Sequence, residues 1–221
     1  MKKALLITFL ILNLTPLRAE STFTAQIPDQ VEFKGVTYDL NSNPLEPYFD
    51  KFPNKRPQGG TTSTALWRGY VACFKILDNH LYVTDIKIEV PDEGSKKSYP
   101  YKWISVFNQV FPKKEKVKID WYTGILILPH GKIVDYVHMG YASTFSKYLL
   151  LEVERGKLNE VRKYKYKKFI QFKKRQFNEF KKTDNYRKLY KKLKKNDSNE
   201  DFIQSFIGNF ITEYTTKFLT K

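Results

Sequence analysis

The stretch from Val161 to Asn196 places the tightest limit on what this chain can become. It carries sixteen Lys or Arg residues against two acids, Glu179 and Asp184, a net +14 across 36 residues. Eight aromatics are interleaved with those cations: Tyr164, Tyr166, Phe169, Phe172, Phe177, Phe180, Tyr186 and Tyr190. The aromatics want a surface to pack on and the long basic side chains want water. The chain is therefore expected to be a folded domain that carries a basic, aromatic helical arm.

The rest of the charge pattern sharpens that division. Residues 155–221 hold 20 basic and 7 acidic groups, whereas residues 20–154 hold 16 of each and sum to zero. A neutral body with a cationic tail bears on partners and association rates rather than on fold. At 221 residues, 41% hydrophobic and 16% aromatic, the chain can bury one sizeable core and is too short for two.

Met1 to Ala19 has the three parts of a secretory signal: Lys2 and Lys3, an apolar run from Ala4 to Leu14, then Pro16 and the small residue Ala19. The run is short for a bilayer span, so no transmembrane segment is expected in the mature chain, and the protein is expected to be exported to the periplasm or the extracellular space. Losing Lys2, Lys3 and Arg18 would leave +13 of the +16 net charge. Cys73 is the only cysteine, so no intrachain disulfide staples the fold. Its setting, Val71-Ala72-Cys73-Phe74, suggests a buried, inert thiol in a strand.

Along the chain, Gln30–Phe33 and Val36–Leu40 alternate around Lys34-Gly35 as a hairpin. Prolines 44, 47, 53 and 57 leave room only for a helical turn near Leu45–Phe52. A second hairpin runs from Thr64 to Ile76 and from Leu81 to Val90. Arg68 falls on the apolar face of its first strand, and Tyr82, Thr84, Ile86, Ile88 and Val90 share a face of the second. Lys102–Phe111 has the spacing of a short helix. Strands follow at Val117–Tyr122, Ile125–Leu128, Ile133–His138, Lys147–Glu154 and Leu158–Tyr166, with a turn at Pro129–Lys132.

In the arm, Phe169, Ile170, Phe172, Phe177 and Phe180 line one helical side, with Lys173 and Gln176 intruding. Asp184 is placed to cap a second helix. A third begins at Asp197–Asp201 and keeps its apolar period through Phe218. The fold class that results is α+β: an antiparallel β meander, bent into a sandwich or open barrel, followed by a C-terminal helical segment. The domains are a 1–19 signal peptide, a 20–165 β-rich body, and a 166–221 basic arm with an amphipathic helix packed on the body.

No cofactor motif is present. His80, His130 and His138 are scattered, without the spacing of a zinc site. The most site-like stretch is Asp135 to Thr144, yet Asp135 and His138 are three apart on a strand and should face opposite ways. Ser143 also lacks a nucleophile-elbow context. These features argue against an enzyme.

The favoured expectation is a non-enzymatic binding protein of the bacterial envelope, of a toxin-neutralising (immunity-type) or secretion-accessory kind. Lys173, Lys174, Arg175, Lys181, Lys182, Lys191 and Lys192 would capture an acidic protein or anionic envelope surface, and Tyr141, Ser143 and Thr144 would make a second contact. Nucleic acid is the least favoured partner for an exported chain without a nucleic-acid-binding fold. The alternatives are an envelope hydrolase using His138 and the Tyr141–Thr144 loop, and a peripheral membrane-surface structural protein.

Overall fold

The computed structural model describes residues 24–96, 100–195 and 199–220. The expected signal peptide lies outside them. The chain opens on a hairpin of β1 (Asp29–Phe33) and β2 (Val36–Leu40), closed by Lys34 and Gly35 at φ +53° and +76°. Two consecutive left-handed residues make the tight turn whose twist suits flanking antiparallel strands. A short helix, α1 (Glu46–Lys51), follows. Next come β3 (Val71–Leu77), β4 (His80–Pro91), β5 (Tyr101–Ser105), a single helical turn α2 (Phe107–Val110) and β6 (Val117–Lys118). A three-stranded meander completes the body: β7 (Gly124–Asp135), β8 (Thr144–Glu154) and β9 (Lys157–Lys165).

All nine strands belong to one sheet, with the main order β2-β1-β3-β4-β9-β8-β7 and with β5 and β6 also paired to β4. Its pairings are antiparallel except that of β1 with β3, which is parallel. The two ends of the order meet. Asn41 N–H donates to Ile127 C=O at 2.9 Å, and the Ser42 hydroxyl accepts from Ile127 N–H and donates to Ile125 C=O, each at 3.2 Å. On the far side β4 and β9 pair at one position, His80 with Lys157, beside the hydrogen bonds Leu81 N–H to Gly156 C=O and Leu158 N–H to Asn79 C=O, each 2.8 Å. The sheet is thus an open barrel, joined at a seam between β2 and β7 and parted between β4 and β9. Val31, Leu40, Phe74, Leu81, Val83, Ile86, Leu126, Leu151 and Val153 fill its interior, each nearly or fully buried.

A bulge explains how β4 fills that core. Cys73 pairs with Asp85 and Phe74 with Val83, so Thr84 is the extra residue. Leu81 and Val83 before it, and Ile86 and Ile88 after it, therefore all turn inward. The simple alternation expected from Tyr82 and Thr84 is corrected accordingly.

Other expectations are also revised. The helix expected over Lys102–Phe111 begins as edge strand β5 and yields only the turn α2. The first strand of the second hairpin starts at Val71 rather than Thr64, and the strand at Val117 ends at Lys118. Pro129–Lys132 is not a turn: register shifts between His130, Ile133 and Asp135 let β7 run through it. Cys73 is half-buried rather than fully enclosed, and burial raises its thiol pKa.

The arm is helical and packed. Helix α3 (Tyr166–Phe180) lays Phe169 and Phe172 on Ile125, Ile127, Tyr148 and Leu150, the outer face of the meander. Burying each such phenyl ring contributes about 2–3 kcal/mol. The break after α3 falls where the sequence places it, but Thr183, not Asp184, caps α4 (Asp184–Lys194), accepting from Tyr186 N–H at 3.2 Å. Asn199 caps α5 (Glu200–Asn209). The long C-terminal helix stops at Phe210, and the one-turn α6 (Ile211–Tyr214) follows. Phe180, Ile203, Ile207 and Ile211 form the core between these helices. Gln176 is no intrusion on the apolar face. It is fully buried and binds the C-terminal segment, donating to Thr215 Oγ1 at 2.9 Å and Lys217 C=O at 2.7 Å while accepting from Leu219 N–H at 2.9 Å.

Candidate functional site

Two surfaces gather the residues singled out by sequence. The first is the solvent side of α3 and α4. At 100° per residue, Lys167, Lys168, Lys174 and Arg175 fall on one stripe of α3, opposite Phe169, Phe172, Gln176 and Phe180, and Lys181 and Lys182 follow in the turn after it. All six are exposed. Among the described residues only Lys182 meets a carboxylate, Glu179 at 2.7 Å. On α4, Arg187 pairs with Asp184, whereas Lys188, Lys191, Lys192 and Lys194 are exposed and meet no carboxylate within 4.0 Å among the described residues. Exposed cations left in this state keep their field available to a partner.

Lys173 departs from that row. It is half-buried, with Nζ 3.4 Å from Asn209 C=O and 5.3 Å from the centre of the Phe169 ring, and desolvation lowers its pKa. Of the basic residues expected to act together, Lys174 and Arg175 share the α3 face, Lys181 and Lys182 lie in the turn after it, Lys191 and Lys192 lie on α4, and Lys173 belongs to a cleft.

That cleft is the second surface. It runs beside the barrel seam, under the loop that joins β7 to β8 and against Phe210–Glu213, as two adjoining cavities of about 300 and 450 Å³. Tyr141 is common to both. Its hydroxyl accepts from Arg68 Nη1 at 2.7 Å and donates to Asn43 Oδ1 at 3.0 Å. Arg68 is held from behind by Asp29, whose Oδ1 lies 3.4 Å from Nη2 and also accepts from Ala72 N–H at 2.8 Å. Asp29 Oδ2 has no partner among the described residues, and burial pushes the carboxyl up to about 7 despite the Arg68 charge. Nearby, Glu46 takes two hydrogen bonds from Arg56, at 3.0 and 2.9 Å, and one from the Tyr70 hydroxyl at 2.6 Å. Burial alone would raise Glu46, but Arg56 and Tyr70 outweigh it and hold the carboxyl below its ordinary value.

The remaining loop residues divide. Ser143 Oγ accepts from Val137 N–H at 3.0 Å and donates to Val137 C=O at 3.2 Å, so it braces its own loop. Thr144 opens β8, and its Oγ1 is buried without a partner. His138 is exposed and sits edge-on to Tyr136, with ring centres 4.9 Å apart; Asp135 is exposed as well. No hydrogen bond among the described residues links His138, Ser143 and Asp135, so a Ser–His–Asp relay is not assembled.

Arg68, Asn43, Glu46 and Trp67 were not found as site residues from sequence. The one visible trace was the charge of Arg68 on an otherwise apolar face. No protein-family model, curated protein or solved structure matches the chain.

Proposed function

We propose that this is an exported, non-enzymatic binding protein that captures an acidic partner through the basic face of α3 and α4. A toxin-neutralising or secretion-accessory role accords with that reading. The observation that carries it is the row Lys167, Lys168, Lys174 and Arg175, exposed on one side of a helix whose other side is anchored to the barrel and continued by Lys181 just past its end, with no carboxylate within 4.0 Å among the described residues. Anchoring fixes the charges in place, so a partner does not have to order the helix as it binds. Export rests on the Lys2–Ala19 pattern alone. The hydrolase alternative loses support because Ser143 and His138 are engaged separately.

The test is affinity capture by the processed chain from an extract of its own source, at low and at high salt. A specific acidic protein should be retained at about 50 mM NaCl, released near 500 mM, and lost from the Lys174→Glu/Arg175→Glu/Lys181→Glu variant. Retention of the same protein by that variant would overturn the reading.

A second reading, attachment to an anionic lipid surface, is favoured by one observation. Ile133, Val134 and Tyr136 are each at least half exposed at the end of β7, beside the exposed Lys132, Lys147 and Lys165. No helix among the described residues is long and apolar enough to cross a membrane. Pelleting with vesicles containing phosphatidylglycerol, lost on changing Ile133 and Val134 to Ser, would select this reading over the first.

A further inference from the structure

We propose that the larger cavity of the seam cleft is a binding site for a neutral pyranose sugar, with Trp67 as its stacking platform. Three independent features point to that chemistry. First, Trp67 lines the 450 Å³ cavity and is 64% exposed. An indole left this open offers a flat apolar face with a polar N–H edge, which suits the alternating C–H faces and hydroxyl rim of a sugar ring. Cavities of this volume hold small ligands.

Second, the cleft holds polar atoms the fold does not satisfy. Gln26 Oε1 and Arg68 Nε, both on residues lining the larger cavity, are buried without a hydrogen-bond partner among the described residues, and so is Thr144 Oγ1, on a residue lining the smaller one. The Arg68 side chain is only 1% exposed. A buried polar group is normally paired, and leaving one unpaired is costly. In the lining of the larger cavity Gln26 Oε1 is an acceptor and Arg68 Nε a donor, each reachable once its side chain shifts toward a ligand. A row of sugar hydroxyls needs that mixture.

Third, the charged groups lining the larger cavity are largely engaged within the protein. Arg68 is engaged by Tyr141, Ile27 C=O and Asp29, and Glu46 by Arg56, so no free guanidinium waits for an anion. Glu213 remains as an acceptor at the rim. A purely apolar ligand would set its surface against Asn41 and Thr212, which also line the cavity.

The site is separate from the basic face of α3 and α4, so its test stands apart from the capture proposal. The full chain is titrated with maltotriose, cellotriose and chitotriose, followed by calorimetry and by tryptophan emission. At least one sugar should bind with a Kd below about 1 mM. Trp67→Ala should weaken that binding by about tenfold or more without moving the Tm, because the side chain it removes is exposed. Gln26→Ala should weaken it less, and Lys174→Glu/Arg175→Glu/Lys181→Glu should bind the sugar as the unaltered chain does. The proposal is overturned if none of the three binds at about 10 mM, if Trp67→Ala binds equally well, or if citrate competes for the site as strongly as the sugar.

Discussion

The side-chain oxygen of Gln176 accepts the backbone N–H of Leu219 at 2.9 Å, and so ties the end of the chain to the middle of α3. The same carboxamide donates to Thr215 Oγ1 and to Lys217 C=O. One buried side chain thus satisfies backbone groups that belong to no regular element.

Gln176→Leu keeps the volume but leaves Leu219 N–H and Lys217 C=O without partners. Each orphaned group costs on the order of 1–3 kcal/mol, so a total loss near 2–4 kcal/mol is expected. Urea unfolding measures it. Limited proteolysis should show earlier cutting after Thr215 in the variant, and an unchanged cutting pattern with unchanged stability would contradict the role assigned to this residue.

Two glycines separate backbone strain from crowding. Gly35 and Gly156 both sit in left-handed turns, at φ +76° and +74°, yet a methyl group at Gly35 meets nothing within 4 Å while one at Gly156 lies 1.7 Å from Ile119 C=O. Gly35→Ala should cost about 1 kcal/mol, the conformational penalty alone. Gly156→Ala should cost more than about 3 kcal/mol, since two backbones must part. Chemical denaturation of the pair, compared side by side, checks the account; equal losses would refute it.

How much of this was readable beforehand depends on where each cause lies. The hairpins at Lys34-Gly35 and Arg155-Gly156 are visible because turn residues and alternation are local. The strand β5 reads as part of a helix because four of its five side chains are exposed at a sheet edge, so burial imprints no period of two on Tyr101–Ser105. Thr84 as a bulge was invisible too, since nothing in its neighbours marks the skipped register. Gln176 looked like a flaw in an apolar stripe, and only the returning segment Thr215–Leu219 gives it partners. The cleft draws on Gln26, Asn43, Trp67, Tyr141 and Glu213, spread across most of the chain, and no local pattern could gather them.

Asp29 predicts a pH signature. Its carboxyl is protonated up to about 7 when folded, against about 4 when unfolded. Between those values the folded state keeps a proton that the unfolded state has released, so this group's contribution to stability falls as pH rises from about 4 to about 7 and is level above. Asp29→Asn can still accept from Ala72 N–H, and it should flatten the dependence in that window. Urea midpoints at pH 4.5, 6 and 7.5 for both proteins decide the matter, with parallel curves as the refuting outcome.

The basic face of α3 and α4 carries the functional account, and poly-L-glutamate is a simple stand-in for an acidic partner. Its dissociation constant is measured for the full chain between about 50 and 500 mM NaCl, beside the Lys174→Glu/Arg175→Glu/Lys181→Glu variant. Tight binding at low salt, weakening by at least about a hundredfold across that range and lost in a variant of unchanged Tm, is the predicted result. Binding that ignores salt, or that survives reversal of those three charges, would contradict it.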